Sequence, residues 1–373
     1  MFPKNYKIWL MFCFALVFLT NPRADEKQFN VSKGGKLILD ITNGDIHINT
    51  WDKNQLVLKS DIDENDEDNK LTVSQSGNTI NVNGTHNFSG SDLQISVPYD
   101  FNFQIETNAG SVIFKGNVTG RVEVKTSGGD IKTDNIYGFL DANTSGGNIT
   151  TLNIKGQTKL NSGGGDIKVG DIEGDLTLKT GGGNVKVGKV NKTLKLKTGG
   201  GNISVAEIGN IAEVATGGGN IVVDKSDNKI EITTGGGDIK LNSPYGEIIA
   251  RTGSGRIHIQ NAFNKMNVHT GSGDAEISLT SAYKGNSEIK SGNGNVILYL
   301  PSNIHATVTA KVNSWDAGDE EGNNIENIQS DFKAATIDRK GDPGQVIAVY
   351  QINGGGSNIN VNVSNGNVEL KKR

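Results

Sequence analysis

The stretch between residues 126 and 291 alternates apolar and polar residues in two short runs that recur at a fixed interval. Counted from the Thr or Ser that opens each unit as position zero, apolar residues stand at positions 5, 7, 10, 14 and 16. In one unit these are Ile167, Val169, Ile172, Leu176 and Leu178. Alternation with a period of two indicates strands with one buried face, and helical spacing fits nowhere in the region. The pattern therefore predicts two short strands per unit.

The units follow one another without gaps. Each opening residue lies 18 positions after the last, except that the final one comes after 21: Thr126, Thr144, Ser162, Thr180, Thr198, Thr216, Thr234, Thr252, Thr270 and Ser291. Such regularity is typical of a solenoid, in which every unit packs only on its neighbours. We predict an all-β, single-stranded β-solenoid (a parallel β-helix) of about ten 18-residue coils, with β caps at both ends. Right-handed coils are favoured, because right-handed crossovers dominate between parallel strands and the apolar spacing lacks the period of left-handed β-helices.

The breaks between the strands have their own residue types. Unit positions 1–3 are nearly always Gly, and position 12 is Gly or Asn in seven of the first eight units, the exception being Lys192. Gly and Asn adopt positive φ most readily, which predicts left-handed backbone in both bends. Position 4 is a column of Asp and Asn, which we expect to close the turn by hydrogen bonding to its own backbone: Asp130, Asn148, Asp166, Asn184, Asn202, Asn220, Asp238 and Asp274.

The same column has a calcium alternative, because glycine-rich repeats with Asp form calcium-binding β-rolls. Those repeats place a turn roughly every nine residues, whereas one turn falls every 18 here, and half of the column is Asn, which supplies less charge to a hard cation. The acidic segment 61–68 has neither EF-hand spacing nor a central Gly. We therefore favour turn chemistry for the column and a solvated loop for the segment, and predict no metal site.

The regions around the repeat complete the domain prediction. The first 24 residues resemble a signal peptide, with Lys4 and Lys7 before an apolar run that is too short to span a bilayer. Pro22 is not the small residue expected before a cut after Ala24, so an uncleaved anchor is the alternative. The predicted division is a signal peptide over 1–24, an N-terminal β cap over 25–107, the β-helix over 108–312, an acidic polar loop over 313–344 and closing strands over 345–373.

The composition of the chain disfavours several classes of function. The only cysteine, Cys13, lies in the signal segment, so the exported chain would have no disulfide and no thiolate chemistry. Loss of Lys4, Lys7 and Arg23 would reduce 37 basic residues to 34 against 41 acidic ones, a net charge of −7. A mildly acidic protein is a poor candidate for nucleic-acid binding. We predict an exported protein of the periplasm or cell surface without a cofactor.

Motifs at both ends and in the repeat resemble one family. They are the run from Gly34 to Asp52 around Asn43-Gly44-Asp45-Ile46, the stretch 92–98, the T-[SG]-G-G-[DN]-[IV] repeats and the final run 364–370. With them the chain resembles the bacterial "putative adhesin" proteins, a family of β-strand repeats whose domain is of unknown function. The resemblance covers nearly the whole exported chain and implies an exported β-helix with a role in surface adhesion. It carries over no catalytic residue.

Lysines offer the one candidate binding site. They cluster in three successive units, and stacking would place Lys168 above Lys186 and Lys179 above Lys197, where like charges repel. We consider an anionic-ligand patch for a glycan or a lipid headgroup, against solvated lysines that deter edge pairing. The patch comprises Lys168, Lys179, Lys186, Lys195 and Lys197, although positions 6 and 15 or 17 should lie on different faces.

Other chemistry is disfavoured. The Thr at position zero shares parity with the inward Leu pair, so it points inward rather than forming an ice-binding face. Enzymes built on β-helices need loops that wall a cleft, and the gapless repeat leaves no room for them. The histidines are dispersed; His258 and His269 lie on neighbouring strands without a third ligand. We predict a non-enzymatic interaction module that binds an envelope component or surface glycan, with a carbohydrate-active β-helix enzyme as the alternative and a ligand-free structural spacer as the third hypothesis.

Overall fold

A computed structural model describes residues 25–61, 70–84, 92–313, 327–340 and 344–373. The predicted signal segment with Cys13 lies outside these residues, as do nearly all of the acidic segment and Trp315. Within them the chain is built from strands, with no helix. An all-β fold is confirmed.

The strands are short in the repeat and longer at both ends. The N-terminal strands are β1 (Asp25–Asn30), β2 (Gly35–Ile41), β3 (Ile46–Trp51), β4 (Gln55–Ser60), β5 (Leu71–Ser76), β6 (Thr79–Gly84), β7 (Leu93–Pro98), β8 (Phe101–Thr107) and β9 (Val112–Lys115). The repeat contains β10 (Val122–Thr126), β11 (Ile131–Thr133), β12 (Leu140–Thr144), β13 (Ile149–Thr151), β14 (Thr158–Ser162), β15 (Ile167–Val169), β16 (Leu176–Thr180), β17 (Val185–Val190), β18 (Leu194–Thr198), β19 (Ile203–Ile208), β20 (Ala212–Thr216), β21 (Ile221–Ser226), β22 (Ile230–Thr234), β23 (Ile239–Pro244), β24 (Ile248–Thr252), β25 (Ile257–Asn264) and β26 (Met266–Thr270). The C-terminal strands are β27 (Ala275–Lys284), β28 (Ser287–Asn293), β29 (Val296–Leu300), β30 (Ala306–Asn313), β31 (Ile328–Ser330), β32 (Thr336–Lys340), β33 (Gln345–Ile352), β34 (Ser357–Asn365) and β35 (Val368–Lys372).

Two long, mainly parallel sheets run along the molecule. Sheet 1 contains the odd-numbered strands of the repeat, from β9 to β29, and sheet 2 contains the even-numbered strands from β8 to β28. Within each sheet a strand pairs with the one two places along the chain, so successive 18-residue units lie directly over one another. This arrangement is a β-solenoid in which each coil contributes one strand to each sheet.

The core consists of columns of identical positions. Ile167 lies beside Val185, and Val185 beside Ile203, and all three are buried. Position 10 forms a third column, in which isolated parallel bridges join Ile136, Ile154, Ile172 and Val190. The predicted stacking of successive units around an aliphatic interior is therefore confirmed.

Both ends of the solenoid contain a coil that is inserted between others. The first coil, β2 and β3, lies between β6 and β7 on one side and β8 and β9 on the other. The last coil, β34 and β35, lies in the same way between β28 and β29 and the strands β30 and β31. Beyond these coils, antiparallel pairs replace parallel ones: β1 with β4, β4 with β7, β5 with β6, β30 with β33, and β32 with β33. The parallel stack therefore ends on hairpin-like pairs rather than on bare coil edges.

Two features differ from the pattern in the sequence. The segment 313–344, predicted as a loop, contains β31 and β32 in its described part. The three extra residues before Ser291 lie in the long strand β27, whose pairing with β25 shifts register around Ala262. Asn261 has a φ of 52° at this irregularity. The division of the chain into five segments stays a prediction.

The glycines of the repeat correct the prediction of left-handed bends. Among the described residues, positive φ occurs in end coils, as at Gly44 and Gly366, but at no Gly between 117 and 284. The requirement is space instead: a Cβ added at Gly183 would collide with the carbonyl oxygen of Gly165 in the coil before. The same contact recurs along one column at unit position 3, from the first coil to the last: Gly44, Gly110, Gly129, Gly147, Gly165, Gly183, Gly201, Gly219, Gly237, Gly255, Gly273, Gly294 and Gly366. Glycines at position 12, such as Gly156, meet the preceding coil in the same way.

The opening Thr points inward, as predicted, and joins neighbouring turns. The Thr198 hydroxyl donates to the Gly183 carbonyl of the previous coil at 2.9 Å and accepts from the Gly201 N–H of its own turn at 3.3 Å. Equivalent pairs of hydrogen bonds recur from Thr126 to Thr270. Each buried hydroxyl thereby satisfies two backbone groups that strand pairing leaves over.

Neighbouring glycines of one turn should respond in opposite ways to a methyl group. Gly183→Ala should lower the free energy of unfolding by roughly 1–3 kcal/mol, because the turn must move away from the coil below. Gly182→Ala should leave it unchanged or raise it by up to about 1 kcal/mol, since nothing lies within 4 Å of the added Cβ and its φ is not positive. Urea unfolding of both variants measures this difference, and equal midpoints would contradict the close-approach explanation.

Two buried threonines provide a matched test of the hydroxyl bonds. Thr198→Val should destabilise the protein by roughly 1–3 kcal/mol, because two backbone groups lose their partner. Thr151→Val should stabilise it by about 1 kcal/mol, because the Thr151 hydroxyl is buried without a hydrogen-bond partner. Val169, which pairs with Thr151 in the next coil, shows that Val fits this column. Thermal unfolding of the two variants should shift the midpoint in opposite directions.

Candidate functional site

A groove of about 920 Å³ runs along the outer face of sheet 1. It crosses six successive coils, from β11 to β21, and follows the solenoid axis. At roughly 4.8 Å per coil its length is about 24 Å. Its lining comes chiefly from unit positions 4 and 6, with three strand residues between them: Asp130, Lys132, Asn148, Thr150, Asp166, Ile167, Lys168, Asn184, Val185, Lys186, Asn202, Ile203, Ser204, Asn220 and Val222.

One wall of the groove is the Asp/Asn column at position 4. The prediction that these side chains bond their own backbone is wrong, because they bond the next coil. Asn202 Oδ1 accepts from the N–H of Asn220 at 2.8 Å, and Asp166 Oδ1 accepts from that of Asn184 at 2.7 Å. The bond recurs from Asp130 onward because stacking brings each N–H over the side chain below. The column therefore continues the hydrogen-bond ladder of sheet 1 past the strand start.

No two carboxylates are adjacent in this column. Asn or Arg256 separates every Asp from the next one between 130 and 274, which avoids repulsion between like charges about 4.8 Å apart. Neighbouring acids are therefore at least two coils apart, too far to share one calcium ion. In the described part of the chain, no three His, Cys, Asp or Glu residues are grouped as a metal would require.

The floor of the groove contains the position 6 column. Lys168 and Lys186 are in-register neighbours on β15 and β17. Lys132 lies 3.4 Å from Asp130, whereas Lys168 and Lys186 form no ion pair with any described residue. The groove thus contains two adjacent, exposed and uncompensated positive charges.

The structure divides the predicted lysine patch between the two sheets. Lys179 and Lys197 are in register with each other on sheet 2, and Lys195 lies beside Thr177 there. Lys197 also pairs with Glu213 at 2.6 Å. Of the five predicted residues, only Lys168 and Lys186 lie together in the groove. The asparagines of the wall were not predicted as site residues, although positions 4 and 6 have the same outward parity.

Two other lysines on sheet 1 are neutralised by a carboxylate. Glu207 lies 3.1 Å from both Lys189 and Lys225. Hydrogen bonds from these two ammonium groups hold the pKa of the Glu207 carboxyl below its usual value. This compensated cluster at the far end of the same strands contrasts with the uncompensated pair in the groove.

The two histidines of the repeat that fall on neighbouring strands lie apart. His258 Nδ1 lies 3.3 Å from the Glu276 carboxylate in the next coil, and His269 lies on sheet 2 between Arg251 and Lys290. The two rings are therefore on different faces. Among the described residues, no helix is long and apolar enough to cross a membrane.

The hydrogen bond from the wall column to the next coil can be tested by removing its acceptor oxygen. Asn202→Ala should destabilise the protein by about 1 kcal/mol, because the Asn220 N–H loses its side-chain acceptor. Asn202→Asp keeps an oxygen at the same place and lies between two Asn residues, so it should change the free energy of unfolding by less than about 0.5 kcal/mol. Denaturant unfolding at neutral pH compares them. Equal losses in both variants would show that the hydrogen bond to the next coil contributes nothing.

Comparison with solved structures finds three weakly similar proteins. The chain is similar to a "putative adhesin" from Bacteroides fragilis (14% identity, TM-score 0.38, 59% of this chain and 98% of that one). It is also similar to a "putative lipid binding protein" from Parabacteroides distasonis (17%, 0.25, 74% and 95%) and a "putative cell adhesion protein" from Clostridium sporogenes (10%, 0.14, 94% and 100%). At these values the likenesses carry no argument about function. No curated protein matches the chain.

A family model matches residues 36–205 and residues 170–371. Together the two matches extend from the first inserted coil to the last one, well over half of the chain. They confirm the resemblance to a family of β-strand repeats that the glycine turns indicated. The chain belongs to the Toastrack DUF4097 family.

Proposed function

We propose that this protein is an exported, non-enzymatic interaction module that binds a cell-envelope or surface ligand, such as a glycan, along the groove of sheet 1. The observation that carries the proposal is the continuity of the groove across six coils. Strand positions in perfect register create it, so it is long, open and without loop walls. Such a surface suits an extended ligand better than a small substrate that must be enclosed.

Export is supported by the signal-like segment at residues 1–24. The proposal includes a solenoid of about ten 18-residue coils with right-handed crossovers. The handedness is proposed because right-handed connections dominate between parallel strands. Rigid stacking would hold the groove straight and present it on the outside of the protein. Identifying the ligand would distinguish the periplasm from the cell surface as the final location of the protein.

A groove-blocking substitution tests the proposal. Ser204 is exposed in the groove, and Thr233 is exposed on a strand of sheet 2. With the purified chain, we expect retention on an envelope fraction or a glycan array. Ser204→Trp should lower the affinity at least tenfold by filling the groove, and Thr233→Trp should leave it within about twofold.

Other results would favour other functions. Binding that both Trp variants retain would place the ligand elsewhere and contradict the proposal. Turnover of a polysaccharide by the purified chain would favour the carbohydrate-active enzyme. Neither binding nor turnover would leave the structural spacer.

A further inference from the structure

The wall of the groove presents hydrogen-bond donors to its ligand. The Oδ1 atom of each Asn in the column accepts a hydrogen bond from the N–H of the next coil. Because that donor requires an oxygen, the orientation of the amide is fixed and the Nδ2 group faces outward. Among the described residues, the Nδ2 groups of Asn202 and Asn220 have no protein partner. The ladder thus leaves two free donors one coil apart, whereas the Nδ2 groups of Asn148 and Asn184 donate to Asp130 and Asp166 of the coil before at 3.3 and 3.4 Å.

The position 6 column places positive charge beside the donors of the wall. Lys168 and Lys186 lie side by side between Thr150 and Ser204, whose hydroxyls can also donate. The charged lining comprises three lysines and two aspartates, a local net charge of +1, in a chain whose net charge is −4. The groove is therefore selective for a ligand rich in acceptors that also carries a few negative charges.

The distribution of charge in the groove limits the kind of polymer that can bind there. Asp130 and Asp166 lie on the wall beside the lysines. A polyphosphate with a charge on every short backbone step would meet these carboxylates along with the lysines. A chain with one acid and several hydroxyl acceptors per sugar can place two neighbouring acids at the lysine pair and hydroxyls against the rest of the lining. An acidic glycan has this composition, and an extended sugar chain advances by nearly one coil spacing per residue.

We propose that the ligand is a linear, uronic-acid-type glycan that lies along the solenoid axis, with carboxylates at Lys168 and Lys186 and hydroxyls on the amides of Asn202 and Asn220. This inference rests on the proposed function and specifies its ligand class. The two in-register lysines bind neighbouring acid groups of the chain, and the two free asparagine amides bind hydroxyls further along it.

The test uses polygalacturonate and its methyl-esterified form, which has the same backbone without the charge. Binding to the purified full chain is measured by calorimetry at low salt. We expect the ester to bind about tenfold more weakly than the acid, and added salt to weaken binding of the acid. The double variant K168Q/K186Q should lose about tenfold in affinity for the acid.

A matched pair on the other sheet provides the control. Lys179 and Lys197 are also exposed and in register, so K179Q/K197Q removes the same charge from the opposite face. It should bind polygalacturonate within about twofold of the parent. Thermal unfolding of both double variants shows whether they stay folded: K168Q/K186Q removes only a repulsion, and K179Q/K197Q also removes the exposed Lys197–Glu213 ion pair, which should contribute less than about 1 kcal/mol.

Several outcomes would overturn the inference. Equal losses in the two double variants would indicate a non-specific charge effect, and no binding of polygalacturonate would remove the ligand class. Tighter binding of a single-stranded oligonucleotide would favour a polyphosphate. If the ester binds as well as the acid and Ser204→Trp still blocks it, the groove binds neutral glycans and only the charge assignment fails. If Ser204→Trp blocks no envelope ligand at all, the proposed function itself fails.

Discussion

The turns of successive coils lie so close together that only a hydrogen atom fits between them at one position. At unit position 3, each glycine Cα lies against the carbonyl of the glycine below. This contact fixes how far one coil can slide or tilt over the next. The Thr hydroxyl beside it bonds to both turns at once. Steric exclusion and hydrogen bonding thus set the same register, and sheets, core and surface follow from it.

Perfect register has a direct consequence for the surface. When identical positions stack, an outward residue type becomes a column, and two adjacent columns become a groove along the axis. The groove of sheet 1 arises in this way from positions 4 and 6, without a loop or an insertion. The position 6 residues can change one at a time, because their side chains take no part in the glycine, threonine or position 4 bonds between coils. Position 4 must keep an oxygen acceptor for the next coil, so the fold constrains one wall of the groove more than the rest.

Much of this architecture could be predicted from the sequence. The period, the buried positions and the inward Thr are visible because every coil repeats them. The inserted end coils could not be predicted, since Asp45 bonds a residue 66 positions away and Asn295 one that is 72 away, and no period connects them. Positive φ in the bends was wrong because glycine has two uses, left-handed backbone and close approach, and composition alone does not separate them.

The site was harder to predict for a related reason. The five lysines of the predicted patch lie close together in the chain, and the coil places positions 6 and 17 on opposite sheets, as their places in the unit indicated. The groove also depends on the direction of each asparagine amide, which only the N–H of the next coil determines. A pattern of residue types identifies a column, whereas the free atoms of that column depend on its hydrogen bonds.

Two adjacent like charges in a stack can indicate a binding site, or the protein can simply tolerate their repulsion. The surroundings of the two charges distinguish these cases. The Asp/Asn column separates its acids in every case, which shows that repulsion along the stack is avoided where nothing offsets it. Two lysine pairs break this rule. On sheet 2 Lys197 reaches Glu213, so the repulsion from Lys179 is offset within the protein. In the groove Lys168 and Lys186 form no ion pair with any described residue, so an anionic ligand there would offset a repulsion that the protein leaves in place.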